Sequence, residues 1–136
     1  MIINGENLIL GRLASVVAKK ALMGEKIDVV NCEKVVISGK KAEILFQYKE
    51  KDQMTGELKG PYLPKMPDRL VRRTVRGMLP YKQDKGEKAF KRVMCYLSIP
   101  SKFKDQKLET IQEVSKENLK IANTITLQEI CRLLKK

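Results

Sequence analysis

Apolar positions in this chain alternate between two spacings, and the changes of spacing divide it into short strands and amphipathic helices. Ile2-Ile3-Asn4-Gly5 predicts a strand and a turn. Leu13, Val16, Val17 and Ala21 recur at helical spacing and predict a helix over Gly11–Met23, with Gly24 as its stop. Ile27-Asp28-Val29-Val30-Asn31 predicts a second strand, and Val35-Val36-Ile37 is a third apolar run. The connector Cys32-Glu33-Lys34 is too short for a crossover helix. Either the sheet is mixed or these two runs are not neighbours. Helical composition returns from Lys41 to about Lys51. Thr55-Gly56, Gly60-Pro61, Pro64 and Pro67 then interrupt regular structure.

A helix is expected over Asp68–Leu79 and a short one around Gly86–Arg92. Val93–Ile99 has strand composition, ended by Pro100, and Ser101–Lys107 reads as a polar loop. Thr126 with Glu129 three residues later is a capping box, and Leu127, Ile130, Cys131 and Leu134 after it share one helical face. Strand, helix and strand at the start, with helices before a late strand, argue for an α/β fold in one domain spanning 1–136.

Charge changes this picture. Lys plus Arg number 28 against 16 Asp plus Glu, a net +12, in a chain that is 43% hydrophobic and therefore able to build a core. The excess is concentrated: Lys59–Arg92, a quarter of the residues, carries net +8. An evenly solvated surface does not segregate charge this way; a face for an anionic partner does. There is no histidine, so the commonest general base and neutral metal ligand are missing. No apolar run approaches the ~18 residues of a membrane span, and Met1–Gly5 has no signal-peptide character. Cys32, Cys95 and Cys131 are odd in number and far apart, which predicts buried thiols in a reducing compartment.

The candidate chemistry lies in Pro67–Pro80. At about 100° per residue, Arg69, Arg72, Arg73 and Arg76 fall within one arc, while Leu70, Val71, Val75, Met78 and Leu79 occupy the opposite half. One face packs and the other presents guanidiniums, whose planar fork suits phosphate. Lys82, Lys85, Lys88, Lys91 and Arg92 extend the patch. Tyr62, Tyr81 and Phe90 are its few aromatics, so backbone contact with folded RNA is favoured over base stacking on single strands. Tyr62 suits packing of the Pro-rich loop better than RNA contact. Gly77 within the helical pattern marks either close approach of RNA, a helix end or a tight helix–sheet contact.

Two enzymatic motifs fail. Ser38-Gly39-Lys40-Lys41 lacks the first glycine and the Ser or Thr of a nucleotide-binding loop, leaving only a Gly-Lys turn suited to a phosphate. Pro67-Asp68 with Asp105-Gln106-Lys107 superficially resembles a Mg²⁺-dependent nuclease, but Asp68 reads as a helix start and Asp105 as loop.

LGRLAS (Leu10–Ser15), VVNCEKVVISGKK (Val29–Lys41), GPYLPKMPDR (Gly60–Arg69), TVRGMLPYK (Thr74–Lys82) and KRVMCYLSIP (Lys91–Pro100) together resemble the universal large-subunit ribosomal protein L-thirteen family. Gly60-Pro61-Tyr62 and the Ile99-Pro100 pair resemble its archaeal and eukaryotic branch, without the long basic C-terminal extension of eukaryotic members or the N-terminal lead of bacterial ones. Beyond Lys107 the match is weak. The resemblance implies a three-layer α/β/α fold around a small, mostly parallel four-stranded sheet. It implies a cytoplasmic, ribosome-bound protein that binds large-subunit rRNA, supports subunit assembly and meets neighbouring ribosomal proteins. By motif, the RNA-facing positions are Arg12, Lys34, Lys40, Lys59, Arg69, Arg72, Arg73, Arg76, Lys82 and Arg92. No catalysis, cofactor, metal, membrane or small-molecule substrate is expected. The competing readings are an RNA-processing nuclease and a free-standing RNA-binding regulator.

Overall fold

The computed structural model describes residues 1–54, 62–120 and 123–135. In chain order the elements are β1 (Ile2–Asn4), α1 (Leu10–Leu22), β2 (Ile27–Val30), β3 (Val36–Ser38), α2 (Lys41–Gln53), α3 (Pro67–Gly77), α4 (Asp84–Lys91), β4 (Val93–Cys95), β5 (Thr124–Thr126) and α5 (Leu127–Leu134).

β1, β2 and β4 form a parallel sheet in the order β1-β2-β4, with Ile2 opposite Asp28 and Ile27 opposite Val93. β3 is not in it. Asn31 takes a left-handed conformation (φ 56°), and a single 3₁₀ turn over Cys32–Lys34 carries the chain out of the sheet. The two apolar runs are therefore not neighbours. β3 instead pairs antiparallel with β5, Val36 opposite Thr126. The expected four-stranded, mostly parallel sheet is thus three parallel strands plus a separate antiparallel pair. Thr124–Thr126 reads only as the approach to a capping box, because its last residue has two roles. Thr126 ends β5, and its side chain also accepts the Glu129 amide at 3.3 Å to start α5.

Strand alternation sorts the core. Ile3, Ile27, Val29, Val93 and Cys95 face one side, where they join Leu13 and Val17 of α1, Val71 and Val75 of α3, and Ala89 of α4. Ile2 and Val30 face the other side and meet Phe103, Tyr96 and Leu108. That second face is covered by the stretch that follows β4, with the 3₁₀ turn at Ser101–Phe103, and not by a layer of α-helices. The expected three-layer arrangement is corrected to helices on one face of the parallel sheet. The polar composition of Ser101–Lys107 concealed this, since Phe103 alone anchors the turn (7% exposed).

β4 is shorter than its composition suggests. Ser98 adopts φ 53°, held there by Glu33, which accepts its amide at 3.0 Å and its hydroxyl at 3.3 Å. The chain therefore leaves the sheet before Ile99. Farther on, the Asn4 amide donates to the Glu109 carbonyl at 2.9 Å, the Glu109 amide donates to the Ile2 carbonyl at 2.8 Å, and the Ile9 amide donates to the Val114 carbonyl at 2.8 Å, so the C-terminal third is stitched to the N-terminus.

All three cysteines are buried and free. Burial pushes the Cys131 thiol up to about 11 from an ordinary 9.0, and a hydrogen bond with the Cys95 thiol, with burial added, raises Cys32 as well. A raised thiol pKa means that the folded state holds its proton more tightly than the unfolded chain. Its contribution to stability is complete below the unfolded value and is lost as pH rises from 9.0 through about 11. Native protein at pH 8 is expected to resist a thiol-alkylating reagent, with all three sites modified once it is denatured. Rapid labelling of native protein would show that these thiols are not sealed in the core.

Candidate nucleic-acid interface

Proline at the first turn of α3 presets its backbone, and Asp68 beside it complements the positive end of the helix. Leu70, Val71 and Val75 are buried, with Val71 and Val75 wholly so. Met78, expected on the packed side, is 43% exposed, because α3 ends at Gly77 and Met78 lies beyond it. A methyl group at Gly77 would meet nothing within 4 Å. Gly77 is the last residue of α3 and makes no tight helix–sheet contact.

The arginine face divides in two. Arg69, Arg73 and Arg76 are exposed. Arg76 lies 4.3 Å from the Tyr81 ring, and none of the three has a carboxylate partner among the described residues. Arg72 is half-buried: its Nε donates to the Val93 carbonyl at 3.1 Å, and its guanidinium sits 4.0 Å from the Phe90 ring. It satisfies a carbonyl on β4 and holds α3 and α4 against that strand. The helical period placed Arg72 on the face correctly; only the adjacency of β4 turned it inward.

Elsewhere in the patch the charges are partly engaged. Lys88 pairs with Asp84 at 2.9 Å and Lys91 with Glu87 at 3.2 Å, both one helical turn apart on α4. Such exposed pairs stabilise by only about 0.3–0.5 kcal/mol and yield readily to a phosphate. Lys82 is exposed in the turn between α3 and α4. Arg92 turns inward and donates to the Ala21 carbonyl at 3.0 Å, capping the end of α1. Lys34 faces Glu6 at 3.8 Å. Lys59 lies outside the described residues, as does the Gly60-Pro61 break. Tyr62 is 63% exposed.

Arg12 and Lys40, distant in sequence from α3, line one cleft together with Thr74 of α3. Lys51 lines it too and was missed in the sequence. The signal was present: Lys40, Glu43, Gln47 and Lys51 follow one another at helical spacing along one face of α2.

The acids of the nuclease reading fall on unrelated elements. Asp68 is the second residue of α3, and Asp105 follows the 3₁₀ turn at Ser101–Phe103. No cluster of three or more metal-ligating side chains occurs among the described residues. No described helix is long and apolar enough to cross a membrane.

Comparison with known proteins gives the family of the chain. The large ribosomal subunit protein uL13 of Methanosarcina barkeri is 45% identical over 130 residues, covering 95% of this chain and 93% of that protein. The uL13 of Archaeoglobus fulgidus is 41% identical over 134 residues, covering 98% and 86%. That of Picrophilus torridus is 42% identical over 132 residues, covering 97% and 94%. The family model for ribosomal protein L13 matches residues 1–102, and with these full-length relatives it shows that the chain belongs to the ribosomal protein L13 (uL13) family.

Proposed function

We propose that this protein is a structural constituent of the large ribosomal subunit that grips large-subunit rRNA through α3 and the loops flanking it, and so supports assembly of the subunit. The family is one of structural ribosomal proteins and not of enzymes. Its members take their place beside rRNA and other ribosomal proteins. The observation that carries the finer reading is the row of exposed guanidiniums at Arg69, Arg73 and Arg76, unpaired with any described carboxylate, in the quarter of the chain that holds net +8. Their backs are fixed by the packing of Leu70, Val71 and Val75. Phosphates therefore meet a pre-organised charged surface and lose little side-chain freedom to gain it. Lys82, Arg12 and Lys40 add exposed cations on the neighbouring turns.

Phosphate contacts release counterions, so affinity must fall steeply with salt. Roughly 6–10 contacts predict a loss of about 10³–10⁵ in affinity for transcribed large-subunit rRNA between 50 and 200 mM salt. A nearly flat salt dependence would count against phosphate-dominated binding. Sedimentation of cell extract through sucrose should place the protein with the large subunit; a position among free proteins would contradict the structural role.

A further inference from the structure

Two of the three buried thiols meet in the core. Val29 of β2 stands directly opposite Cys95 of β4. Adjacent strands lie about 4.8 Å apart, and residues opposite each other point to the same face. After Val29 the chain folds back through the 3₁₀ turn, and the Cys32 sulfur comes to 3.6 Å from the Val29 carbonyl oxygen. The Cys32 amide donates to the carbonyl of Tyr96, the residue after Cys95, at 3.2 Å. Backbone and side chain of Cys32 are thus both held against the Val29–Cys95 pair, and its thiol hydrogen-bonds with that of Cys95. Cys32 is wholly buried and Cys95 is 7% exposed. Cys131 sits apart on α5, in the fields of Lys135 and Asp68.

The backbone around these two sulfurs is already clasped. The chain leaves β2 through left-handed Asn31 and turns away after β4 at left-handed Ser98. The Asn31 amide donates to the Ser98 carbonyl at 3.1 Å, and Glu33 accepts from the Ser98 amide and hydroxyl. A disulfide joins Cα atoms that are usually about 4.4–6.8 Å apart. Backbone hydrogen bonds on both sides of the two cysteines hold their Cα atoms to a separation of that order. Sulfur–sulfur bonding therefore asks for a change of side-chain angle and not for movement of an element.

The geometry points to a peroxide-responsive modification site: Cys95 and Cys32 form a dithiol that hydrogen peroxide converts, within the folded protein, to an intramolecular disulfide. The less covered Cys95 sulfur attacks one peroxide oxygen and the O–O bond breaks. The other oxygen leaves with the thiol proton as water, and Cys95 becomes a sulfenic acid. The Cys32 sulfur then attacks the Cys95 sulfur, the S–O bond breaks, and the departing oxygen takes the Cys32 proton as a second water. Each thiol has given up one hydrogen atom, and the peroxide has become two waters. A disulfide oxidant such as oxidised glutathione must first form a bulky mixed disulfide, for which this packed core has no room. Peroxide is little larger than water and leaves no group behind. The new bond staples the exit of β2 to the end of β4 and closes a long loop of chain, which restricts the unfolded state. Cys131 stays free.

The test treats native wild-type protein with excess hydrogen peroxide for several hours, quenches with catalase and alkylates in denaturant. Untreated protein is expected to take a label on all three cysteines, and oxidised protein on Cys131 alone. Tryptic digestion of the oxidised protein should yield Ile27–Lys34 joined to Val93–Lys102. Chain unfolded before the same treatment serves as reference and should scatter its links over all three cysteines. Dithiothreitol is expected to restore the three labels and to lower the melting temperature by about 10 °C from that of the oxidised protein. Methionine sulfoxide is not reversed by this reductant, so it drops out of that difference. Three labels after oxidation of native protein overturn the inference. So does a link to Cys131, a link between two molecules, or sulfinic acid at Cys95 in place of the link. Native protein that scatters its links as the unfolded chain does, or that melts no lower after reduction, overturns it equally.

Discussion

A variant with Arg69, Arg73 and Arg76 all changed to Gln is expected to melt close to wild type and to bind large-subunit rRNA about 100-fold more weakly at moderate salt. Gln keeps nearly the helix propensity of Arg, and exposed substitutions of this kind shift stability by under about 0.5 kcal/mol each. What is removed is three charges and three forks aimed at solvent. Three phosphate contacts at about 1 kcal/mol each amount to about 3 kcal/mol, or two orders of magnitude in affinity. Arg72 belongs to a different experiment. Arg72→Gln breaks the bond to the Val93 carbonyl and the contact with Phe90, so it should lower stability by about 2 kcal/mol before it affects RNA. Val75→Asp marks the opposite extreme. Val75 is wholly buried, and an unpaired carboxylate there should remove much of the ~5–15 kcal/mol that holds a domain folded. Paired melts and RNA titrations separate the three cases. Wild-type affinity in the Arg69/Arg73/Arg76 variant would show that α3 is not the RNA-binding face.

Gly86→Ala is expected to destabilise the protein by about 3 kcal/mol or more, lowering the melting temperature by roughly 10 °C. The sign is the reverse of what helix propensity alone predicts, since Gly to Ala inside a helix ordinarily stabilises by up to about 1 kcal/mol. Gly86 is buried in α4, and a Cβ there would lie 1.9 Å from the Pro80 carbonyl oxygen and 2.2 Å from its carbon. Both are backbone atoms and cannot rotate aside, so α4 or the turn after α3 must shift. That turn carries Tyr81, against which Arg76 packs, and Lys82. The damage should therefore reach RNA affinity as well as stability. A variant that melts higher than wild type would show that the turn yields freely.

Much of the basic face was legible in the sequence. Local segregation of charge and the 3.6-residue period place Arg69, Arg73 and Arg76 outside and Leu70, Val71 and Val75 inside, because both properties act along a single helix. The same is true of the Thr126–Glu129 cap and of Gly24, whose φ of 97° ends α1 as its sequence position suggests. Arg72 and Arg92 were not legible as inward-facing. Each satisfies a backbone carbonyl of a distant element, Val93 and Ala21, and pairing of that kind leaves no periodic trace. Lys51 joins Arg12 only because α2 returns past the start of α1.

The sequence alone determined where positive charge gathers, the helices, and which side of α1, α3 and α5 packs, since net charge and amphipathic spacing are properties of residues and their near neighbours. Tertiary structure alone decided strand partnership. Three residues of β3 carry too little alternation to choose between β2 and β5. The choice fell to the left-handed Asn31 and the 3₁₀ turn after it, and to the C-terminal segment that comes back to lie against Val36. It also decided that helices cover one face of the parallel sheet while Phe103 closes the other. Short strands gain their stability from what packs across them, and that is settled by contacts far apart in the chain.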